Sequence, residues 1–356
     1  MGVYIFQLIF LLGSSAVVNN CSGLDKAKKH KMILAINIFL MWILCVLKKY
    51  TVGIDVAGYK RVYEASASWP WFAFSNVYYE YGYTALMQLF SKNGADFQIF
   101  NLFVYTIIYV PIFVFFNRYS KQPTMSLLVF ICYQFWVFNM SGLRQGMAMS
   151  ICLLAYIFLE KKSWMRIAGF IVAVLLASLI HQSALIFLIA LGSVFFEVTA
   201  TNALIFVTMA LGCVLLRSSI VSLVNSFAGK YQITGGMTLG GSFLLLLGLA
   251  VFSYAVILIT EKGEKVQSFN IDTASVFMLI FAVILNLCLN GSSVLRAASY
   301  ASIFVTIAFP NCMMRCTKKS RWYINILFAV LLIGLWFTDV LMANQLDIIP
   351  YKMFWQ

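Results

Sequence analysis

The sequence predicts an all-α polytopic integral membrane protein of about twelve transmembrane helices. Three observations carry that class. Of the 356 residues, 62% are hydrophobic and only 10% are charged, with a mean hydropathy of +0.91. A water-soluble fold needs far more polar surface than this, whereas a lipid-facing exterior does not. The apolar residues also fall into runs close to the ~20 residues that cross a bilayer, and the basic residues fall between those runs. A single membrane domain over 1–356 is expected, because a count of domains from length fails when the spans themselves consume the chain.

In chain order the expected spans lie near 3–19, 32–47, 97–116, 124–140, 146–159, 167–180, 184–196, 203–216, 242–260, 273–290, 297–310 and 323–342. The first could pass for a secretory signal, but it has no basic residue before it and is followed by "DKAKKHK" (25–31). That order favours a retained span with its N-terminus outside. About fifty apolar residues, 167–216, could form two spans or three; three, with a reversal near His181, keep "RCTKKSR" (315–321) inside. On this topology fifteen of the 25 basic residues lie in short inner loops, as the positive-inside rule requires.

The net charge of +13 comes from residues scattered between apolar runs, not clustered on a soluble face, so no nucleic-acid partner is expected. The eight cysteines, mostly inside apolar runs, read as small buried hydrophobes. Cys312 and Cys316 lack companion ligands, so no metal site is expected there.

The remaining basic residues include Lys48, Lys49, Arg144, Arg217, Lys230 and Arg296, all placed on the outer side or at its helix ends. Three outer segments are long enough to build something: 48–96, 217–241 and the tail 343–356. The first is dense in tyrosine and tryptophan, which suit either an interfacial belt or stacking against sugar rings. A lone arginine beside apolar helix, as in "GLRQGMA" (142–148), costs about 2.5–3.5 kcal/mol at mid-membrane unless paired. Snorkelling to lipid headgroups is the plain alternative.

Several short stretches resemble the EpsG-like group of exopolysaccharide and O-antigen polymerases, broadly Wzy-like. They are "GIDVAGY" (Gly53, Asp55, Tyr59), "EYGY" (Glu80, Gly82, Tyr83), "GLRQGMA" (Arg144, Gln145, Ala148) and "HQSAL" (His181, Ser183, Ala184). Later come "RAASYASIFVTIAFP" (Arg296, Tyr300, Pro310) and "IIPYKMF" (Pro350, Tyr351). The matches follow the family's order over most of the chain, with little between 190 and 290. The resemblance implies a GT-C-like membrane glycosyltransferase architecture in the bacterial cytoplasmic membrane, with its active site facing the periplasm or outside. It implies that oligosaccharide repeat units arrive on polyprenyl (undecaprenyl) pyrophosphate as donor and acceptor. One unit's non-reducing hydroxyl attacks the anomeric carbon of the growing chain, and lipid pyrophosphate leaves. The products implied are O-antigen, capsule or exopolysaccharide, and the partners are membrane lipid, a flippase and a chain-length regulator.

That chemistry assigns candidates. Arginine suits a pyrophosphate clamp because its planar fork bonds phosphate oxygens in pairs and stays charged. A fixed cation also stabilises charge building on the leaving group. Arg144 is the first choice, with Gln145 to orient it or bond sugar. Arg296 is second, because Tyr300 lies four residues on, on the same helical face. Arg217 is third, and Tyr59 and Tyr83 are candidate substrate contacts. Two arginines can neutralise the headgroup without a divalent metal, and no DxD-like acidic pair is present, so neither metal nor cofactor is expected. The attacking hydroxyl needs a base, and His181, Asp55 and Glu80 remain open. His181 could instead bond backbone carbonyls at a helix end, Asp55 could cap a helix, and Glu80 could pair with Arg144 while the site is empty. The segments 48–96 and 217–241 are expected to contribute to the active-site chamber.

A flippase or transporter of lipid-linked oligosaccharide would place charge near the middle of spans, where this sequence is almost clean. A membrane acyltransferase modifying glycans would need a histidine motif for an inner-face donor, and none is placed for it.

Overall fold

The computed structural model describes residues 1–71, 79–227, 240–261, 269–288 and 292–356. Two compact units emerge from the contacts. The first comprises Met1–Phe158, Ser163–Leu185 and Leu327–Gln356, and the second Leu159–Lys162 with Ile186–Ile326. Among the described residues the chain is helical and holds no strand, only one isolated bridge between Lys48 and Met353.

The first unit opens with α1 (Gly2–Asn20) and α2 (Lys26–Leu47), packed on each other. The Asp25 carboxylate starts α2 by accepting from the Lys28 N–H at 2.7 Å, a side-chain cap for an otherwise orphaned donor. Two amphipathic helices follow, α3 (Val56–Ser66) and α4 (Tyr81–Lys92), packed together outside the spans. Asp96 caps α5 (Phe97–Tyr119) through the Ile99 N–H at 2.8 Å. This helix packs against α2 and against the later helix at Leu143–Ala155. The expected span 124–140 is broken into α6 (Pro123–Cys132) and α7 (Phe135–Ser141), bent by 51°. Gln134 sits at the break with φ +67°, a left-handed conformation that ends a helix. Next come α8 (Leu143–Ala155), α9 (Trp164–Ser178) and a 3₁₀ stretch, Gln182–Ile189, which belongs to the first unit up to Leu185 and to the second from Ile186.

The second unit contains α10 (Ala190–Ser193), α11 (Ala200–Leu215), α12 (Arg217–Phe227), α13 (Gly241–Thr260), α14 (Ile271–Cys288), α15 (Ser292–Ser302) and α16 (Val305–Met313). Helix α17 (Lys318–Trp336) belongs to the second unit up to Ile326 and to the first from Leu327.

Among the described residues seven helices are long and apolar enough to span a membrane, or nine with each bent pair counted once. The finer expectation of about twelve spans is not reached by that range, which leaves the shorter apolar helices Trp164–Ser178 and Gln182–Ser193 uncounted. Over their described residues the twelve apolar runs are mainly helical, but 167–180 and 184–196 form short helices, and 297–310 is divided between α15 and α16. The run 203–216 continues into α12 through a 76° bend. Hydropathy sums side chains and does not register such backbone breaks. Large apolar side chains such as Ile9, Val17, Leu211 and Val330 stand exposed on the helices, as a lipid-facing surface requires.

The C-terminal tail straps the first unit. The Tyr4 hydroxyl donates to Ile348 O at 2.6 Å, and the Gly53 and Ile54 N–H groups donate to Asp347 O and Leu346 O, each at 2.9 Å. Beneath this strap Lys48 is fully buried, its ammonium donating to Val52 O at 2.7 Å. Burial lowers that ammonium to about 7. The sequence places Lys48 among the basic residues of the outer side and its helix ends, with no sign of its burial.

Candidate active site in the first unit

Three elements of the first unit bring charge together. Helix α4 begins at Tyr81 with Glu80 in the N-cap position, its side chain free of any capping bond. Arg144 is the second residue of α8, and His181 follows the end of α9. The Glu80 carboxylate binds all three neighbours at once. Oε2 accepts from Arg144 Nη1, Oε1 meets His181 Nδ1 at 2.8 Å, and Oε1 also accepts the Gln182 N–H at 3.0 Å. The pair expected between Glu80 and Arg144 is therefore present, and the histidine joins it.

Backbone packing holds this geometry. The Gly82 N–H donates to Leu179 O at 2.8 Å, tying the start of α4 to the end of α9. Burial alone would raise the Glu80 carboxyl, but the His181 ring, the Arg144 guanidinium and the Gln182 N–H outweigh it and hold the group at about 2. It is an anion at neutral pH.

Tyrosines wall the cluster. The Arg144 guanidinium lies 4.2 Å from the Tyr79 ring centre and 5.7 Å from that of Tyr59, a cation–π arrangement that contributes about 0.5–2 kcal/mol per ring. Tyr59, Tyr79 and Tyr83 pack mutually at 5.5–6.0 Å. Burial raises Tyr79 to about 12, so its hydroxyl stays a neutral donor. Two polar groups are left over. Arg144 Nε and the Tyr83 hydroxyl are buried and have no hydrogen-bond partner among the described residues. Buried polar groups are normally satisfied, and these two keep hydrogen-bonding capacity that the described residues do not use.

The other candidates are placed as follows. Asp55 occupies the N-cap position of α3 without making the capping bond, and its N–H donates to Ser141 Oγ at 3.3 Å. Gln145, next to Arg144, is buried. Arg217, Arg296 and Tyr300 belong to the second unit. Arg217 Nη2 donates to Leu287 O at 2.9 Å, and Tyr300 is fully buried. Of the outer segment 217–241, residues 228–239, with Lys230, lie outside the described residues, as do 72–78 of the segment 48–96. Sequence reasoning missed Tyr79, the ring nearest Arg144. Nothing in the sequence distinguishes it from the other tyrosines of 48–96.

These features define a multi-pass helical membrane protein with a buried ionic cluster walled by tyrosines. The EpsG family model matches residues 31–353, and the chain belongs to that family. It is a Wzy-like polysaccharide polymerase family, so the chain belongs with glycosyltransferase-like polymerases. No curated protein and no solved structure matches the chain.

Proposed function

We propose that this protein is a Wzy-type polymerase that joins oligosaccharide units carried on polyprenyl pyrophosphate at the outer face of the bacterial cytoplasmic membrane. The observation that carries this reading is the unsaturated arginine. Arg144 is held by Glu80, yet its Nε is buried without a partner among the described residues. An incoming pyrophosphate would complete the guanidinium and displace the Glu80 carboxylate. Charge on the leaving group is then stabilised by a cation already in place, a role that needs no metal. Arg296 and Tyr300 are proposed as further substrate contacts, and the GT-C-like arrangement is part of the same reading.

In the reaction the acceptor hydroxyl oxygen bonds the anomeric carbon, the bond from that carbon to pyrophosphate breaks, and its electron pair leaves with phosphate. The hydroxyl proton goes to a base. A carboxyl held at about 2 is a weak base, which favours His181 for the proton and Glu80 for orienting the ring through Nδ1. Asp55 is the second base to be compared. The faces of Tyr59, Tyr79 and Tyr83 suit stacking on sugar rings.

Arg144→Ala and Arg144→Lys are both expected to abolish long-chain glycan at near-normal protein level. Full-length polymer from the alanine variant would remove the clamp. His181→Ala, Asp55→Asn and Glu80→Gln, compared by glycan ladder, separate the base from its rivals. A cysteine at 144 that labels only from the cytosolic side would overturn the outer-face assignment.

A further inference from the structure

The second unit contains an apolar groove of about 350 Å³ between α11, α13 and α14. That volume lies in the range of ligand sites. Its walls are wholly apolar, and the room comes from small residues, Ala203 and Ala210 on α11 and Ala250 and Ala255 on α13. Small residues in membrane helices usually draw backbones into contact. Here the space beside them stays open, and α11 has no buried residue along its length.

The two ends of the groove differ. At one, the Tyr254 hydroxyl donates to Thr199 O at 2.6 Å and closes α13 against the start of α11. At the other lies Leu287, whose carbonyl accepts from Arg217 Nη2 at 2.9 Å. Arg217 Nε is buried there without a partner among the described residues. The same feature thus joins an apolar channel to an incompletely bonded guanidinium.

We propose that this groove holds the hydrocarbon chain of a phosphate-headed lipid, with Arg217 at the headgroup. Arginine bonds phosphate through paired donors, and an apolar chain in the groove replaces lipid that would otherwise fill it loosely. A single groove of about 350 Å³ has room for a stretch of one chain rather than for the two chains of a diacyl phospholipid. The choice of a polyisoprenyl chain rests on the polymerase reading above, and it makes the groove a tail site for lipid-linked sugar.

The test uses the full-length protein in nanodiscs with a diazirine-bearing polyprenyl phosphate, and a diazirine-bearing phosphatidylglycerol as the comparison. Crosslinks from the first probe are expected on peptides of α11, α13 and α14. Unlabelled polyprenyl phosphate should compete them away, and the same amount of phosphatidylglycerol should not. Filling the groove with Ala210→Phe and Ala250→Phe together should cut labelling about tenfold, and Arg217→Gln should weaken competition by a similar factor. Equal labelling by both probes would mark ordinary boundary lipid and overturn the proposal. So would labelling unchanged in Arg217→Gln, which decides the matter if the filled variant loses thermal stability. The two readings fail separately. Glycan loss in Arg144→Ala with no groove labelling sinks the tail site alone, while groove labelling with full polymer from Arg144→Ala sinks the clamp alone.

Discussion

Gly82 meets Leu179 at a distance that leaves no room for a side chain. A Cβ at Gly82 would lie 2.8 Å from the Leu179 carbonyl oxygen, the same oxygen that accepts the Gly82 N–H. Glu80 lies two residues before this contact and His181 two residues after it. The 2.8 Å approach of carboxylate to imidazole is therefore set by backbone packing of α4 on α9, and not by flexible side chains finding each other.

Gly82→Val tests that relationship. Valine forces the two helix ends apart, an overpacking cost of about 1–3 kcal/mol, and parts Glu80 from His181. Polymer output is expected to fall more than about tenfold while membrane insertion persists. Gly58→Ala is the control, because its Cβ would meet only the Tyr79 hydroxyl at 3.8 Å. Equal activity in both variants would show that the helix contact does not set the site.

The Glu80 carboxyl gives a pH dependence with a definite sign. Its folded value of about 2 lies below the ordinary 4.5, so its stabilisation is present above pH ~4.5 and is lost as pH falls through the folded value. With the group largely buried, the contribution at neutral pH is on the order of 3 kcal/mol. The melting-temperature gap between wild type and Glu80→Gln should be constant from about pH 7 to 5 and shrink to less than about half by pH 3. A gap that persists to pH 3 would mean that Glu80 is not the charged partner of Arg144.

Particular residues show what could be read in advance. Arg144 announces a partner because a lone guanidinium beside apolar helix is costly, and Glu80 supplies it. Tyr79 carries no comparable signal, since it is one tyrosine among many in 48–96 and only the fold selects it. The burial of Lys48 is equally silent, because it depends on a tail some three hundred residues further along the chain. The break at Gln134 is a backbone event that hydropathy does not weigh. Composition is thus enough for the class, whereas span count and the walls of the site depend on long-range packing.

The strap from the C-terminal tail yields a third prediction. Gly53 takes φ +103°, and a Cβ there would lie 2.8 Å from Met140 O, so the turn before Asp55 and Tyr59 is tightly prescribed. Asp347 and Leu346 hold that turn through its N–H groups. Removing residues 346–356 should abolish long-chain glycan and open 48–54 to protease, with insertion retained. Removing only Trp355 and Gln356 should change little, since Trp355 is largely exposed. Protease resistance at 48–54 after the longer truncation would show that the tail does not hold the turn.

A contrasting cluster in the second unit separates stability from chemistry. Asp272, fully buried near the start of α14, accepts from Arg315 Nε at 3.2 Å, Arg315 Nη2 at 2.8 Å and Asn311 Nδ2 at 3.0 Å. Arg315 also pairs with Glu261 at 2.7 Å, so one guanidinium ties the ends of α13, α14 and α16. Asp272→Asn removes the buried anion and leaves that guanidinium half-paired, a loss of about 3 kcal/mol. Melting temperature and abundance should fall, while the glycan length made per inserted molecule should match wild type. A shortened ladder at equal abundance would make this cluster part of the reaction path, because a structural staple alters how many molecules fold and not how far each one polymerises.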